Sequence, residues 1–449
     1  MASTYLTKTF GSAGNRKTMT FSFWIKRGNL STAQYPMSII DSGSGNQADM
    51  RFDATTDVFR MYSTDTSGTP FAIHLVTDRV FRDTSAWYHI VWEIDTTQAT
   101  ASNRVKLYVN GVQETSFSTE DYPPQNTDLR WNGTSGSTGG VTQIGAINGN
   151  GVFDGSMSHF HFIDGTAYDA SAFGEFDANG VWKIKTSPSV TYGTNGFFIL
   201  KDGNSVTDQS VNSNNWTVGG GTLTNTEDNP SNVFATLNPL VNIGTNTTYS
   251  QGNNTVSTNN ANYKVSPSTL AVSSGKWYME FKAVSGSFGS IDAAVGIIQT
   301  ETNFSTGSQN LNAYPNGYSY GSLGKVRQYN ASDVYTASTY ADGDIIGIAL
   351  DMDNNKLYFH KNGTYQNSGD PTSGSTGTGA VSITSGKEYY FACSTITSSG
   401  TKVFSANFGN GYFGTTAVAS AGTNASGIGI FEYDVPTGYT ALSTKGLDL

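Results

Sequence analysis

The sequence predicts an all-β protein made of two tandem antiparallel jelly-roll β-sandwiches joined by an Asn/Ser/Thr/Gly-rich connector. Charged residues make up only 13% of the 449 residues, about half of the usual share of roughly 25%. Serine, threonine, asparagine and glycine take their place, and these residues disfavour helices while suiting strands and tight turns. Aromatic residues reach 12%, which supplies apolar surface for packed cores and argues against disorder.

Charge and hydropathy exclude two classes of partner. The net charge is −10 and the isoelectric point is about 4.9, so the surface repels phosphate and we expect no nucleic-acid binding. No run of about 18 apolar residues occurs, so we expect no membrane insertion. The first residues, Met1–Leu6, lack a basic region followed by an apolar one, and we therefore predict no signal peptide.

Cysteine usage indicates the compartment in which the chain is made. Cys393 is the only cysteine and cannot form an internal disulfide. It lies in the apolar run Tyr389–Cys393, so we expect a buried structural thiol and not a reactive one. The chain thus combines the cysteine usage of a reducing cytoplasm with the composition of an extracellular adhesive protein.

Strand patterns dominate the first half of the chain. Two segments alternate apolar and polar residues, which predicts strands with one buried face. The apolar positions are Met19, Phe21, Phe23 and Ile25 in the first segment, and Tyr88, Ile90, Trp92 and Ile94 in the second. Asn110-Gly111 follows a further strand and predicts a type I′ hairpin turn, because both central residues need a positive φ.

Strand patterns return in the second half after an interruption. Residues 203–265 are rich in Asn, Ser, Thr and Gly and have few apolar residues, so we predict a partly ordered connector. Lys276–Phe281 and the almost wholly apolar Ile345–Asp351 follow as predicted strands. Asn362-Gly363 predicts a second hairpin turn.

Residues 1–202 resemble the laminin-G-like branch of the concanavalin A-like sandwiches. The resemblance rests on an opening strand, a Trp-bearing strand, the Asn-Gly hairpin and a closing Phe-Asp-Gly strand. These segments are Phe21–Ile25, Trp87–Ile90, Val105–Gly111, Gln143–Gly145 and Phe153–Phe160. The resemblance implies a binding domain, but this fold alone does not name a ligand.

Residues 266–415 resemble a SPRY domain, another bent β-sandwich. The segments that carry the resemblance are Gly275–Phe281, Val295–Ile297, Gly317–Tyr320, Asp342–Gly347, Leu357–Gly363 and Phe404–Gly409. The closing segment, Phe431–Tyr439, looks like the tail that follows such modules in phage particle proteins. We therefore interpret residues 416–449 as a C-terminal docking tail.

The sandwich fold of the first domain also occurs in glycosidases, which act through paired carboxylates. Glu93-Ile94-Asp95-Thr96-Thr97-Gln98 resembles the Glu-x-Asp-x-x-Glu signature of sandwich-fold glucanases. The general-acid position holds Gln98, and an amide cannot protonate a leaving oxygen. We therefore predict that the chain is not an enzyme, with Glu93 and Asp95 on the outward face of a strand.

Calcium is the one cofactor that the sequence leaves open. Many laminin-G-like domains bind calcium at the loop rim, and four aspartates near Gly-rich turns are possible oxygen ligands. They are Asp41, Asp49, Asp53 and Asp154. His159 and His161 lie two apart on a predicted strand and share one face, but without a Cys or third His nearby in sequence we expect a packing or surface role instead of a zinc site.

Tyrosines in the predicted loops of the second domain are the candidate ligand-binding residues. They are interleaved with Asn, Ser and Gly, a combination of rigid aromatic anchors and adaptable polar groups that recurs in binding surfaces. The candidates are Tyr314, Tyr318, Tyr320, Tyr329 and Tyr335, with Tyr340 in the same region. The alternative is that these rings fill the ends of the sandwich.

Together these features predict a phage virion surface protein, made in the host cytoplasm. We expect a tail fibre or head-decorating fibre that binds host cell-surface glycan or an envelope component. Its other expected partners are further virion proteins and copies of itself in a homo-oligomer. Two alternatives stay open: a carbohydrate-active enzyme on the first sandwich, and a ligand-free capsid or tail cement protein.

Overall fold

The structure of the chain is a computed structural model. It describes residues 4–40, 47–65, 72–133, 141–201, 205–241, 246–259, 263–289, 293–304, 310–329, 333–397 and 400–448. The chain divides into two compact units: Met1–Asn225 with Asn229–Ser231, and Thr226–Asp228 with Asn232–Leu449. Antiparallel sheets dominate both, so the predicted all-β class is confirmed.

The first unit consists of short and medium strands with two 3-10 turns (Ala101–Asn103 and Ala170–Ala172). The strands are β1 (Tyr5–Lys8), β2 (Thr18–Arg27), β3 (Gln34–Ile40), β4 (Gln47–Phe52), β5 (Val58–Ser63), β6 (Ile73–Val80), β7 (Tyr88–Asp95), β8 (Val105–Val109), β9 (Val112–Glu114), β10 (Phe117–Asp121), β11 (Val141–Ile144), β12 (Gly155–Asp164), β13 (Gly174–Phe176), β14 (Trp182–Ile184), β15 (Phe197–Ile199) and β16 (Thr217–Gly220).

Two facing sheets form the sandwich of the first unit. Within the described residues, one sheet has the order β10-β6-β5-β4-β3-β11-β1-β16 and the other the order β15-β12-β2-β7-β8-β9. Antiparallel pairing sets Phe21 of β2 opposite Trp92 of β7. Trp92 in turn contacts Phe59 of the facing sheet, with ring centroids 6.1 Å apart. The predicted inward faces of β2 and β7 are confirmed, because their alternating apolar side chains lie in this core.

The β12-β2-β7 sheet is covered on its outer face as well. Val91 of β7 and Ile163 of β12 point away from the main core and pack with Ala170 and Phe173 in a smaller cluster. The covering chain runs from the end of β12 through the β13–β14 hairpin. This second layer holds the β13–β14 hairpin against His89 of β7 and the turn between β8 and β9.

The second unit has a similar make-up, with 3-10 turns at Leu311–Ala313, Gln366–Ser368 and Pro371–Thr376 and a short helix, α1 (Thr444–Leu447). Its strands are β17 (Thr247–Ser250), β18 (Thr255–Thr258), β19 (Lys264–Val272), β20 (Lys276–Ser285), β21 (Ala294–Gln299), β22 (Tyr318–Gly321), β23 (Lys325–Gln328), β24 (Tyr335–Thr336), β25 (Ile345–Asp351), β26 (Lys356–Lys361), β27 (Thr364–Tyr365), β28 (Val381–Ser382), β29 (Tyr389–Thr395), β30 (Lys402–Asn407), β31 (Tyr412–Phe413), β32 (Thr416–Ala417) and β33 (Thr440–Ala441).

Two sheets again enclose one core. As far as the structure describes the chain, one sheet has the order β17-β18-β30-β20-β25-β26-β27, with β28 beside β26 and β33 beside β20. The other has the order β19-β29-β21-β22-β23-β24. Tyr320 of β22 meets Phe359 of β26 across the core, with ring centroids 5.6 Å apart. Cys393 of β29 is fully buried in this core, as predicted, and burial raises the pKa of its thiol.

The residues predicted as a docking tail belong to the second sandwich. β33 pairs in parallel with β20, with Thr440 opposite Trp277. Phe431 packs edge-on against Tyr278, with ring centroids 5.0 Å apart, and is 1% exposed. Within 416–449, predicted as a C-terminal docking tail, these apolar side chains cover the outer face of their own sheet.

The predicted connector 203–265 is likewise divided between the two units. β16 pairs with β1 at the edge of the first sandwich, and Trp216 lies in the first core. β17 and β18 form a hairpin that joins β30 of the second sandwich. Side-chain-to-backbone hydrogen bonds of Asn and Asp stabilise this polar stretch in place of apolar burial; Asp208, for example, accepts from the backbone N–H groups of Phe198 and Ser210.

No helix of the described residues is long and apolar enough to cross a membrane.

Candidate ligand-binding surfaces

The tyrosine pair predicted to form an exposed platform is buried. Tyr318 and Tyr320 lie on β22 and are 5% and 0% exposed. The Tyr320 ring packs against Tyr340 and Phe359 in the second core. Tyr318 packs edge-on against Tyr389 and hydrogen-bonds Thr384. The prediction that these two rings face solvent is therefore wrong, and the alternative that they fill the sandwich applies to them.

The other predicted tyrosines differ in exposure. Tyr314 is 5% exposed and packs in a small cluster with Leu311. Tyr335 on β24 is partly buried against the second core. Tyr329 is 41% exposed, just after β23. Of the five candidates, Tyr329 is the ring that the structure leaves most open to a ligand.

The carboxylates of the glucanase-like segment are engaged with neighbouring side chains. Glu93 of β7 forms an ion pair with Lys106, with Nζ 3.0 Å from Oε1, and its Oε2 accepts a hydrogen bond from the Tyr108 hydroxyl at 2.8 Å. Asp95 accepts hydrogen bonds from Thr97 and from the Gln98 amide. Although partial burial of Asp95 works against ionisation, these hydrogen bonds lower its pKa.

This geometry does not suit general acid catalysis. A general acid needs a pKa raised toward the working pH, and that of Asp95 is lowered. Gln98 donates its amide to Asp95 at 2.6 Å and has no acidic proton to offer. Both carboxylates lie on the face opposite Trp92 and Ile94, as predicted.

Two of the proposed calcium ligands are paired with arginines. Asp49 is buried and lies 3.0 Å from the Arg60 guanidinium, and Asp53 lies 3.0 Å from that of Arg51. Burial of Asp49 raises its pKa in spite of Arg60. Asp154 is 7% exposed, and Asp41 lies outside the described residues. Among the residues that the structure describes, no three His, Cys, Asp or Glu side chains are grouped in a way that could hold a metal ion.

The two histidines of β12 occupy a β-bulge. His159 has a φ of 48°, and the register with β2 shifts between Ser158 and His161. His161 is stacked on Phe198 with centroids 3.9 Å apart, and its Nδ1 lies 2.9 Å from the Tyr192 hydroxyl. Burial holds the pKa of His161 well below its usual range. These contacts support the packing role predicted for the pair.

An aromatic hairpin that sequence reasoning missed stands beside the first sandwich. Phe176 of β13 pairs directly with Trp182 of β14, and their ring centroids lie 4.8 Å apart at an interplanar angle of 66°. Phe176 is 51% exposed, whereas Trp182 is partly buried. Asp177 closes the turn by accepting from the backbone N–H groups of Asn179 and Val181.

Trp182 is fixed to the sandwich on several sides. Its indole N–H donates to Nδ1 of His89 at 2.9 Å. The indole lies directly over Gly111 and against Gly174, where any side chain would overlap it. Gly111 has a φ of 79° in the predicted Asn-Gly turn, so this turn joins β8 to β9 and also makes room for the indole.

Comparison with known proteins shows that part of the first unit is similar to a known family. Residues 2–171 match the concanavalin A-like lectin/glucanases superfamily. This concanavalin A-like match covers less than half of the chain, and its description includes both lectins and glucanases. No curated protein matches the chain.

Solved structures similar to the chain include two SPRY domains. The SPRY domain of human HERC1 is 16% identical, with a TM-score of 0.31, and the similarity covers 38% of this chain and 96% of that one. A human SPRY domain is 18% identical, with a TM-score of 0.26, and the similarity covers 34% of this chain and 90% of that one.

The aromatic hairpin lies just beyond the concanavalin A-like match, so the family resemblance offered no pointer to it. A local signal was present nevertheless. Gly174-Glu-Phe-Asp-Ala-Asn-Gly-Val-Trp182 places a turn sequence, Asp177 to Gly180, between two aromatic residues, and such a pattern is typical of a hairpin.

Proposed function

We propose that this chain is a surface component of a phage particle, a tail fibre or a head-decorating fibre, that binds host surface glycan or an envelope component without catalysing a reaction. Its partners in the particle are other virion proteins and further copies of the chain. Many copies on one particle turn weak single contacts into firm attachment through avidity.

The observation that carries this proposal is the exposure of aromatic rings outside both cores. Phe176 beside the first sandwich is 51% exposed and Tyr329 on the second is 41% exposed. Rigid aromatic rings combined with polar turn residues recur in binding surfaces. Recognition by side chains outside the sandwich core also leaves the strands free to serve as scaffold.

The particle assignment is supported by the combination of composition and cysteine chemistry. Thr, Ser, Asn and Gly-rich β-sandwiches resemble extracellular adhesive proteins, while the buried Cys393 makes the fold independent of disulfides. A phage structural protein meets both conditions, because it folds in a reducing cytoplasm and works outside the cell after lysis.

A binding role agrees better with the acidic residues of β7 than a hydrolytic one. Glu93 is held by Lys106 and Tyr108, and Asp95 by Thr97 and Gln98. The pKa of Asp95 is lowered, whereas a general acid needs a raised one. The carbohydrate-active alternative predicts that host polysaccharide is cleaved, which a reducing-sugar assay with the wild type and Glu93→Gln measures directly.

Two measurements test the proposal. Immunogold labelling of intact particles from the encoding phage is expected to place the chain on the particle surface. Purified protein, clustered on beads, is expected to bind host cells and to slow adsorption of the phage. A particle that lacks the chain, or clustered protein that binds no host cells, contradicts the proposal. Release of reducing sugar by the wild type but not by Glu93→Gln favours the enzyme instead.

A further inference from the structure

We infer that Phe176, bordered by Trp182, is a stacking platform for the apolar face of a neutral pyranose. The inference rests on the proposed function, and it names the site and the ligand class. Phe176 and Trp182 are called the aromatic platform below.

The exposure and the position of the two rings suit a sugar. A pyranose presents a patch of C–H groups on one face, and an aromatic ring offers a flat apolar surface of matching size. Phe176 is half exposed, and Trp182 meets it at 66°. Trp182 therefore lies along one side of the exposed Phe176 ring. This arrangement favours a ligand that has one flat apolar face and whose edge fits against Trp182.

The platform is rigid before any ligand arrives. Cross-strand pairing holds Phe176 opposite Trp182, and the indole is in turn held by His89 and seated on Gly111. Side chains that are already ordered lose little conformational entropy on binding. Phe176 has only two side-chain torsions, so ordering this side chain costs little conformational entropy. That cost does not cancel the free energy gained from a weak stacking contact.

Charge on the hairpin selects against ionic ligands. Glu175 and Lys183 are paired with each other across the strands, one position from the platform residues, so their side chains project from the opposite face. They also find hairpin partners: Lys183 Nζ lies 3.8 Å from Asp177, and Lys185 Nζ lies 3.7 Å from Glu175. The charges of these two acidic and two basic side chains cancel. The hairpin therefore has no excess positive charge to attract a carboxylated, sulfated or phosphorylated sugar.

A protein partner fits the platform less well than a sugar. One half-exposed phenylalanine and one partly buried tryptophan expose on the order of 150–200 Å² together, judged from roughly 150–250 Å² for a whole aromatic side chain. A stable protein interface needs about 800 Å² from each partner. The contact area that one sugar ring needs is no larger than the exposed area of the aromatic platform.

The test uses the full chain and defined glycosides. Methyl glycosides of glucose, galactose, mannose and N-acetylglucosamine are the neutral probes, and N-acetylneuraminic acid is the charged probe. Binding is measured by saturation-transfer NMR and by competition with protein clustered on beads. At least one neutral probe is expected to bind more tightly than the charged one. Phe176→Ala is expected to weaken binding of that probe about five- to tenfold. Phe176→Tyr is expected to bind the probe as the wild type does.

Control variants make the outcome decisive. Val211→Ala removes an aliphatic side chain that is 94% exposed elsewhere on the first unit, and it is expected to leave probe binding unchanged. Circular dichroism and a denaturation midpoint equal to that of the wild type establish that Phe176→Ala is folded. The platform is overturned if no neutral probe binds, if the charged probe is preferred, or if folded Phe176→Ala binds as the wild type does.

The same experiment separates the platform from the adhesive function. If clustered protein binds host cells, but no neutral probe binds or folded Phe176→Ala binds the probe as the wild type does, adhesion stands and the platform fails. If neither the wild type nor any variant binds host cells while a neutral probe still binds at Phe176, the platform stands and the proposed adhesion fails.

Discussion

The indole nitrogen of Trp182 lies 2.9 Å from Nδ1 of His89, and this contact determines the tautomer of the imidazole. An indole N–H can only donate, so Nδ1 must accept and Nε2 must carry the proton. Nε2 lies 2.9 Å from the Ser22 hydroxyl, which therefore accepts. A neutral histidine thus links the core sheet to the aromatic hairpin. Trp24 is stacked on the same imidazole, with ring centroids 4.7 Å apart.

Removing this acceptor is expected to destabilise the first unit. His89→Leu retains apolar volume but leaves the Trp182 N–H without its acceptor, which costs about 1–3 kcal/mol. The free energy of unfolding from denaturant titration measures the loss. His74→Leu, at a partly exposed histidine of the same unit, serves as the control and is expected to cost less than about 1 kcal/mol. Equal losses in the two variants contradict a special role of His89.

His89 also makes the first unit sensitive to acid. Burial lowers its pKa from 6.5 to about 3, so the folded state binds a proton less readily than the unfolded chain. The stability that the neutral ring contributes is complete above pH 6.5 and is lost as the pH falls toward 3, by about 1.4 kcal/mol per pKa unit. The stability of the wild type is expected to fall relative to that of His89→Leu as the pH falls over this range. A constant difference between the two contradicts the lowered pKa.

Glu280 in the second unit is expected to act in the opposite direction. Burial raises its pKa from 4.5 to about 7, although the backbone N–H groups of Glu432 and Tyr433 donate to its carboxylate. The folded state therefore holds the proton more tightly, and the stability from this group is present below pH 4.5 and lost as the pH rises through 7.

The measurement for Glu280 is the difference in unfolding free energy between the wild type and Glu280→Gln. Glutamine is uncharged at every pH, so its own cost does not titrate. Between pH 4.5 and 7.5 we expect the wild type to lose about 3 kcal/mol relative to the variant. Parallel stability curves for the two proteins contradict the raised pKa of Glu280.

Tyr320 and Tyr329, which the sequence placed in one group of candidate binding residues, are expected to contribute very differently to the free energy of unfolding. Tyr320 is fully buried, and its hydroxyl donates to the Ser338 carbonyl at 2.5 Å, so Tyr320→Ala is expected to cost about 3–5 kcal/mol. Tyr329→Ala, at an exposed ring, is expected to change stability by no more than about 0.5 kcal/mol. Comparable effects of the two substitutions on the denaturation midpoint contradict the burial difference.

Calcium is expected to have no stabilising effect through Asp49 and Asp53. A calcium ion there has to displace the guanidinium groups of Arg60 and Arg51, each 3.0 Å from its carboxylate. Thermal unfolding with millimolar calcium and with a chelator is the measurement. A calcium-dependent rise of several degrees that Asp49→Asn abolishes disproves this expectation. If Asp49→Asn leaves the rise intact, the calcium site lies elsewhere.

Alternation along the strands was sufficient to predict the core-facing residues, but not what lies on the other face. Phe21 and Trp92 follow the period of two and pack inward as predicted. Tyr318 and Tyr320 also follow a period of two, yet their surroundings of Ser and Gly suggested a loop. Such a pair has the same sequence pattern whether it faces solvent or the core. Tyr320 is buried because the strand that carries Phe359 packs against it from the facing sheet.

Segments without apolar periodicity were predicted least well. The polar stretch 203–265 contributes β16 to one sandwich and β17 and β18 to the other, because backbone pairing and Asn/Asp side chains hold it in place. The aromatic hairpin was missed for a related reason. Its strands have three residues each, too few to establish a period, and the partners of Trp182 lie far away in the sequence at Gly111 and His89.

The parallel pairing of β33 with β20 sets an order of events during protein synthesis. Thr440 adds to a strand that left the ribosome more than a hundred residues earlier, opposite Trp277, and Phe234 forms an antiparallel bridge with Ser443, which is also distant in sequence. Until residues 440–443 have emerged, the outer face around Tyr278 lacks part of its cover. Pairs so distant in sequence form slowly, so nascent chains are expected to expose this apolar surface to aggregation and proteolysis until that segment pairs.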